Sequence, residues 1–120
     1  MTLSMKEIQA EAKESGGKTP LLRVKELAER FPESIALRNK EYGIWYETTY
    51  FEFWNKCTYL ASALIDFGVN KGDKVAVHSE NRPEWFISDL GIQAAGAVTV
   101  GLYPTNPKSE VEYLLGHSET

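Results

Sequence analysis

Residues 72–119 follow the order strand, loop, helix, strand, loop, helix, which restricts the chain to folds built around a parallel sheet. The apolar run at 75–77 lacks polar alternation, as in a strand covered on both faces, and residues 98–102 form the next strand. The connection through the intervening helix predicts a right-handed crossover between parallel strands. A unit in this order expects another strand, so we expect the sequence to begin a larger α/β domain.

The composition excludes several classes of function. The chain has 120 residues, 42% of them hydrophobic and 25% charged, which is typical of a globular domain with a core. A net charge of −4 argues against a nucleic-acid-binding surface. The sequence shows neither a secretory signal nor an apolar stretch long enough to span a membrane. Its one cysteine, Cys57, allows no internal disulfide, which fits a cytoplasmic location.

An arm and a helix are predicted at the start of the chain. Residues 1–18 are interpreted as a peripheral arm, for which a docked helix and a disordered N-terminus are both compatible with the sequence. Thr19-Pro20 opens a helix, because proline is tolerated where its missing N–H would be unpaired. Phe31-Pro32 ends it, since the residue before proline disfavours helical geometry. The predicted core-facing side chains are Leu21, Val24, Leu27, Ala28 and Phe31.

A hairpin and a longer helix come next. Residues 35–38 and 44–48 predict two strands joined by the five residues between them. Thr49 and Glu52 match a capping box at the start of the helix, and Gly68 suits its C-terminal cap. The predicted buried stripe of this helix consists of Tyr50, Trp54, Cys57, Ala61 and Leu64.

Small residues mark the helix between the two parallel strands. This helix begins at Pro83 after a capping Asn or Arg, and Gly91 and Ala95 are expected to let it approach the sheet closely. The last helix begins either at Asn106-Pro107 or at Ser109. Its predicted inward side chains are Val111, Leu114 and Leu115.

The sequence contains no metal-ligand or phosphate-loop pattern. His78 and His117 are far apart, and neither CxxC nor HExxH occurs. A structural or loop role is favoured for His78, and a role as the partner of a helix dipole is favoured for His117. Cys57 lies on the predicted buried stripe, so packing is favoured over a nucleophilic role. Core or edge packing is expected of Trp45, Trp54 and Trp85.

Two loops that follow strands are the candidate binding elements. Residues 79–82, Ser-Glu-Asn-Arg, lead into a helix N-terminus, whose free amides attract anions. Arg82 would add a bidentate contact to a phosphate or carboxylate, although we favour a helix cap with a solvated Arg82. The turn Tyr103-Pro104-Thr105 either lines a pocket or redirects the chain.

Four elements in a fixed order give the chain a family resemblance over about residues 19–120. It resembles the N-terminal part of the adenylate-forming, AMP-binding enzymes, and within them the long-chain fatty acid–CoA ligases, which the Tyr-Pro-Thr turn favours. Gly101 stands where relatives often have proline. The elements are Thr49-Tyr50-Phe51-Glu52-Phe53, Gly72-Asp73-Lys74-Val75-Ala76-Val77, Ser79-Glu80-Asn81-Arg82-Pro83-Glu84-Trp85, and Ala95-Gly96-Ala97-Val98 continuing through Leu102-Tyr103-Pro104-Thr105 to Tyr113-Leu114-Leu115-Gly116-His117-Ser118-Glu119.

The resemblance implies a fold and a reaction. The fold is α/β, the start of the large N-terminal domain of acyl-CoA synthetases, with a hairpin, covering helices and a truncated parallel βαβα unit. The reaction joins a fatty acid to ATP, which releases pyrophosphate, and coenzyme A then displaces AMP, with Mg²⁺ offsetting phosphate charge. The family's phosphate loop, adenine-binding and acidic motifs and C-terminal lysine match no position here. No catalytic, cofactor-binding or metal residue is therefore assigned.

Residues 19–120 are thus interpreted as a partial AMP-binding domain that is inactive by itself and needs the rest of a ligase chain. The alternatives are a self-contained α/β binding or interaction module and part of another adenylating enzyme, such as an aryl-CoA ligase or a luciferase-like oxidase. Long-chain ligases handle amphiphiles and are often peripheral to membranes, although no amphipathic anchor is evident in the sequence.

Overall fold

The computed structural model describes residues 19–120 and, before them, Lys6 alone. The predicted arm over residues 1–18 therefore falls outside the described residues apart from that one position. None of the described helices combines the length and hydropathy that a membrane crossing requires. The elements are α1 (Pro20–Arg30), β1 (Ile35–Glu41), β2 (Ile44–Thr49), α2 (Tyr50–Asp66), β3 (Lys74–His78), α3 (Pro83–Ala94), β4 (Val98–Leu102) and α4 (Lys108–Ser118).

The strands form two separate pairs. β1 and β2 are antiparallel, whereas β3 and β4 are parallel and run in register from Lys74 opposite Val98 to His78 opposite Leu102. Since α3 connects β3 to β4, the predicted βαβ unit is confirmed. The α/β class predicted from the order of elements is confirmed with it.

The hairpin has a tighter turn than the sequence predicted. β1 continues to Glu41, which lies opposite Ile44, so only Tyr42 and Gly43 connect the strands. Both connecting residues have positive φ, 50° for Tyr42 and 80° for Gly43, as a two-residue type I′ turn requires. The predicted turn over 39–43 was too long, because this turn type matches the strand twist and lets pairing extend to its edge.

Helix α1 follows its predicted bounds, with one exception in its apolar side. The Thr19 hydroxyl accepts a hydrogen bond from the Leu22 amide at 3.3 Å, and Ala28 is buried. Phe31, predicted to face the core, is instead 49% exposed, and the Arg30 guanidinium lies 5.4 Å from its ring centroid. The helix ends at Arg30, so Phe31 no longer follows the helical direction that its spacing assumed.

Both predicted caps of α2 are present. The Glu52 amide donates to the Thr49 hydroxyl oxygen at 3.2 Å, and that hydroxyl donates to the Glu52 carboxylate at 3.1 Å. The Tyr50 amide donates to the Ser34 carbonyl at 2.9 Å, so the loop before the hairpin satisfies another free amide. At the other end Gly68 has φ 107°, the left-handed conformation that favours glycine at a helix C-terminus.

Two clusters of buried side chains make up the core. The first lies between α2 and α3 and includes Phe53, which was absent from the predicted stripe, together with Cys57, which is fully buried. Trp54, which the stripe included, is only half-buried. The second lies between α3 and the parallel strands. The cluster members are Phe53, Cys57 and Leu90 in the first and Val77, Ile92 and Ala97 in the second.

Gly91 lies close to α2 rather than to the sheet. A Cβ atom added at Gly91 would lie 2.8 Å from Cδ2 of Leu60. The predicted approach of α3 to the sheet through Gly91 was therefore wrong. The error arose because helical spacing shows which residues share a face, but not which neighbouring element that face meets.

Helix α4 begins at Lys108 with Pro107 as its N-cap residue, between the two predicted starts. None of its residues is buried, and Val111, Leu114 and Leu115 are half-buried. Their inward direction was predicted correctly, but the packing around α4 is thin.

Candidate functional site

The carboxyl ends of the two parallel strands lie side by side, and both candidate loops leave from this edge. His78 pairs with Leu102, so the loop after β3 and the turn after β4 are neighbours. A cavity of about 300 Å³ opens between them. In open α/β sheets, ligands bind at the carboxyl edge of the strands, which makes this cavity a candidate site. Its lining residues are Ser79, Asn81, Trp85, Gly101, Leu102, Tyr103 and Pro104.

Aromatic side chains form the walls of this cavity. The half-buried Trp85 ring meets Phe86 edge to face, with centroids 5.8 Å apart. A Cβ atom at Gly101 would lie 3.6 Å from the Trp85 ring, so the glycine leaves room beside the indole. Tyr103 is 76% exposed at the mouth. The cavity therefore offers flat apolar surfaces and few charges.

The turn after β4 both lines the cavity and redirects the chain. The Tyr103 amide donates to Oδ1 of Asn106 at 2.8 Å, and the Asn106 amide donates to the Tyr103 carbonyl at 3.1 Å. Nδ2 of Asn106 donates to Glu110 in the first turn of α4 at 2.9 Å. Both roles that the sequence left open for this turn, lining a pocket and redirecting the chain, are therefore present.

Arg82 is held by two carboxylates. Its Nη2 lies 3.2 Å from Oε1 of Glu41, at the end of β1, and its Nε lies 3.0 Å from Oε2 of Glu84. Arg82 is the N-cap residue of α3, and its side chain makes no capping hydrogen bond. The favoured prediction of a cap position is confirmed, but the guanidinium is ion-paired rather than merely solvated.

Glu84 occupies the amide end of α3. Its pKa is held below the ordinary value, first by a hydrogen bond with its own backbone amide and then by the Arg82 guanidinium. A carboxylate of the chain itself therefore stabilises the positive end of the helix dipole. Since both anion-binding elements predicted here already face carboxylates, the geometry does not favour a phosphate at this loop.

The remaining candidate residues take structural positions. Cys57 is fully buried, and burial raises the pKa of its thiol from 9.0 to about 11, with the Asp89 carboxylate adding to the effect. A thiol with so high a pKa is a poor nucleophile, as expected for packing. His117 stacks on Tyr113 in the last turns of α4, with centroids 5.7 Å apart. His78 lies exposed at the end of β3.

A second, larger cavity lies between the hairpin and the loop after β3. It measures about 500 Å³ and places Trp45 of β2 across from Phe86 of α3. Trp45 is 63% exposed, so of the two predicted roles, core packing and edge packing, core packing was wrong. This cavity was not predicted from the sequence, because its walls are about forty positions apart, as the Glu41–Arg82 contact shows. Its signal in the sequence is the run of large side chains at residues 44–46 of the hairpin.

Within residues 19–120 and at Lys6, no group of three or more His, Cys, Asp or Glu side chains is placed to hold a metal ion. The described residues thus provide apolar walls and ion-paired charges at this edge, and no cluster of metal ligands.

The family model for the AMP-binding enzyme matches residues 24–120. The fatty acyl-CoA synthetase A of Dictyostelium discoideum is 43% identical over 60 residues, which are 50% of this chain and 9% of that protein. The long-chain-fatty-acid–CoA ligase FadD15 of Mycobacterium bovis is 38% identical over 88 residues, 73% of this chain and 15% of the relative. The chain thus spans a small part of the curated relatives it matches.

Solved structures agree with this match. The N-terminal subdomain of Klebsiella oxytoca NpsA, in complex with 3-hydroxyanthranilyl-AMSN, superimposes with a TM-score of 0.77 at 29% identity and covers 86% of this chain and 25% of that one. The fatty acid AMP ligase of Legionella pneumophila gives a TM-score of 0.77 at 19% identity, covering 82% and 18% of the two chains. At 19% identity, the similarity to the Legionella pneumophila ligase shows a shared fold and nothing further.

Proposed function

The chain belongs to the AMP-binding enzyme family, and on that premise we propose that it forms the N-terminal scaffold of a long-chain fatty acid–CoA ligase. The observation that carries the proposal is the 38% identity with FadD15 of Mycobacterium bovis across 73% of the chain. The span that the family model matches, residues 24–120, includes both parallel strands and both loops at their carboxyl edge.

The proposed reaction has two steps. A fatty acid carboxylate oxygen bonds to the α-phosphorus of ATP while pyrophosphate leaves, which gives an acyl-adenylate. The sulfur of coenzyme A, having lost its proton, then bonds to the acyl carbon while AMP leaves. Such a reaction is accelerated by positioning the reactants and by stabilising the charge that develops.

The loop after β3 does not fit a phosphate group of ATP, and the described residues include no group of side chains placed to bind Mg²⁺. Arg82 is engaged by Glu41 and Glu84, and the amide end of α3 faces the Glu84 carboxylate. We therefore assign no step of the reaction to residues 19–120. Their proposed contribution is to hold the carboxyl edge of β3 and β4 in place, through the buried clusters between α2, α3 and the strands.

The test is ATP–pyrophosphate exchange with palmitate. We expect no exchange by the 120-residue chain alone. We expect exchange by a chimera in which residues 24–120 replace the matched segment of FadD15. A chimera that also carries Phe53→Asp is the control, because an unpaired carboxylate in the buried cluster should disrupt the packing of the transplanted segment.

Either of two results would contradict the proposal. Exchange by the isolated chain would place catalytic groups within it. A chimera that folds, binds ATP and still fails with palmitate would separate this chain from the fatty acid ligases.

A second candidate is the scaffold of an aryl-acid adenylating enzyme. The NpsA complex, which holds an anthranilyl-type ligand, and the aromatic walls of the smaller cavity favour it. Its identity with this chain, 29%, is below the 38% of FadD15. Exchange by the chimera with 3-hydroxybenzoate but not palmitate would favour this candidate.

A third candidate, a self-contained interaction module, predicts a stable monomer with cooperative unfolding.

A cytoplasmic location is part of the main proposal, in keeping with the single reduced Cys57.

A further inference from the structure

The loop after β3, residues 79–82, lies between the two cavities. Asn81 lines both of them, whereas Ser79 lines the smaller and Glu80 the larger. Among the side-chain hydrogen bonds of residues 19–120, residues 79–81 contribute one, from the Ser79 hydroxyl to the Glu80 carbonyl at 3.2 Å, which stays within the loop. The loop therefore depends on Arg82 for its hydrogen-bonded side-chain contact with other elements.

Arg82 connects the loop to the hairpin. It precedes Pro83 and is extended, with φ −142° and ψ 166°, the conformation that a following proline favours. Its Nη2 lies 3.2 Å from Oε1 of Glu41, the last residue of β1, although the two residues are 41 positions apart. Both residues line the larger cavity. The ion pair thus crosses that cavity and joins two segments that are distant in the chain.

The second carboxylate that meets Arg82 has a different effect. Glu84 lies only two positions further on, in the first turn of α3, with Oε2 3.0 Å from Nε of Arg82. Because this contact is local, it orients the guanidinium without joining the loop to the hairpin. The planar guanidinium can bond to both carboxylates through different nitrogen atoms, a geometry that the single ammonium group of lysine does not reproduce.

We propose that the Glu41–Arg82 ion pair is a conformational latch that holds residues 79–82 against the hairpin and keeps the two cavities separate. When the pair opens, the loop moves away from the hairpin while the buried clusters stay folded, since a half-exposed pair adds little to global stability. Every contact of the latch lies within this chain, so it requires no ligand or partner. The proposal goes beyond the ligase role and does not rest on it.

The test is a distance measurement between two nitroxide labels by pulsed electron paramagnetic resonance. Glu80→Cys places one label on the loop and Ile44→Cys places the other on the hairpin, both at exposed positions, in the 120-residue chain with Cys57→Ala. We expect one main distance in this parent chain. Adding Arg82→Gln should raise the share of longer distances about two- to fivefold, the range that the loss of one half-exposed ion pair allows.

Further changes to the same pair should act alike. Glu41→Gln should match Arg82→Gln, and the double variant should resemble either single variant, because all three remove the same interaction. Arg82→Lys should give an intermediate share of longer distances, since it keeps the charge without the planar geometry. In 1 M sodium chloride, where the screening length is about 3 Å, the parent chain should approach Arg82→Gln.

Two matched variants are the controls. Arg38→Gln breaks an ion pair of similar exposure, Arg38–Glu47 at 3.4 Å, but this pair lies within the hairpin, so the label distances should stay as in the parent chain. Glu84→Gln should have less effect than Glu41→Gln, because its contact with Arg82 is local.

Three results would overturn the proposal: the same distances in the parent chain and Arg82→Gln, an equal change in Arg38→Gln, or a distance distribution that salt does not alter. If circular dichroism shows that the isolated chain is unfolded, the same label pair in the FadD15 chimera gives the same comparison. Because the measurement contains no ATP, coenzyme A or fatty acid, its failure leaves the ligase proposal standing.

Discussion

The helix pair α2–α3 and the hairpin β1–β2 differ in how they use large side chains. Between the helices, Phe53 and Cys57 are buried, and Gly91 permits contact with Leu60. In the hairpin, Ile44, Trp45 and Tyr46 are exposed, and Thr48 is the only buried residue of these two described strands. Hydrophobic composition alone does not distinguish the two regions, so position decides whether an apolar side chain stabilises the fold or faces outward.

The comparison indicates a division of roles. The helix pair buries the first cluster of the core and should contribute much of the free energy of unfolding, whose main source is buried apolar area. In the hairpin, Ala36 and Leu37 pack partly buried against that cluster, and the Glu41–Arg82 ion pair is half-exposed and contributes little.

Truncation of the core should have the largest effect. Phe53 is 4% exposed, so Phe53→Ala should lower the free energy of unfolding by about 3–5 kcal/mol, as cavities in packed cores do. Trp45→Thr, in the hairpin, should cost less than about 1 kcal/mol because the ring is mostly in solvent. Urea unfolding followed by circular dichroism measures both. Equal losses would refute the division of roles.

The reactivity of the Cys57 thiol should also measure how tightly the helix pair is packed. Burial raises its pKa to about 11, against an ordinary value of 9.0, so at pH 8 the thiolate population falls by about a hundredfold. Reaction with a disulfide reagent should therefore be slow and should accelerate in urea. The Trp45→Cys variant places a second thiol in the hairpin, which should react at once. Rapid reaction of Cys57 in the native chain would contradict the tight helix pair.

Two glycines test the helix contact. Gly91→Ala places a methyl group 2.8 Å from Leu60 and should destabilise the chain by about 1–2 kcal/mol, because overpacking outweighs the gain in helix propensity. Gly116→Ala is the matched control, since no atom lies within 4 Å of a methyl group there in α4. It should stabilise the chain by less than about 1 kcal/mol. Thermal melts of both variants should shift in opposite directions.

The smallest effect concerns the charges that join the hairpin to α3. The pKa of Glu84 is lowered in the folded chain, so its stabilising contribution is present above its ordinary pKa of 4.5 and is lost as the pH falls through the lowered value. Glu84→Gln should remove this part of the acid dependence, and Arg82→Gln should weaken it. Because Glu84 is largely exposed, each change should be below about 0.5 kcal/mol. Urea titrations between pH 3 and pH 6 measure it, and a steeper acid loss in Glu84→Gln would contradict the sign.

Much of the local structure was predictable because its causes are local. Proline at position 20 and the hydroxyl of Thr19 define the start of α1, and the Thr49–Glu52 pair defines the start of α2. Gly68 terminates α2 through its positive φ. The length of the hairpin turn was predicted wrongly because Tyr42 adopts a left-handed conformation, which is uncommon for tyrosine and could not be inferred from the residue type.

The site was less predictable than the fold. The sequence indicated the two loops at the carboxyl edge, and their adjacency follows from parallel pairing. It did not show that Arg82 would meet Glu41, because that contact depends on how the hairpin docks on α3.

The sequence by itself determined the order of elements, most of their ends and the parallel pairing, since caps, turns and periodicity act over a few residues. Tertiary structure alone decided that Gly91 meets α2, that Arg82 is paired with carboxylates and that Trp45 is exposed. These outcomes depend on the distances between elements that are far apart in the chain, and short-range preferences carry no information about those distances.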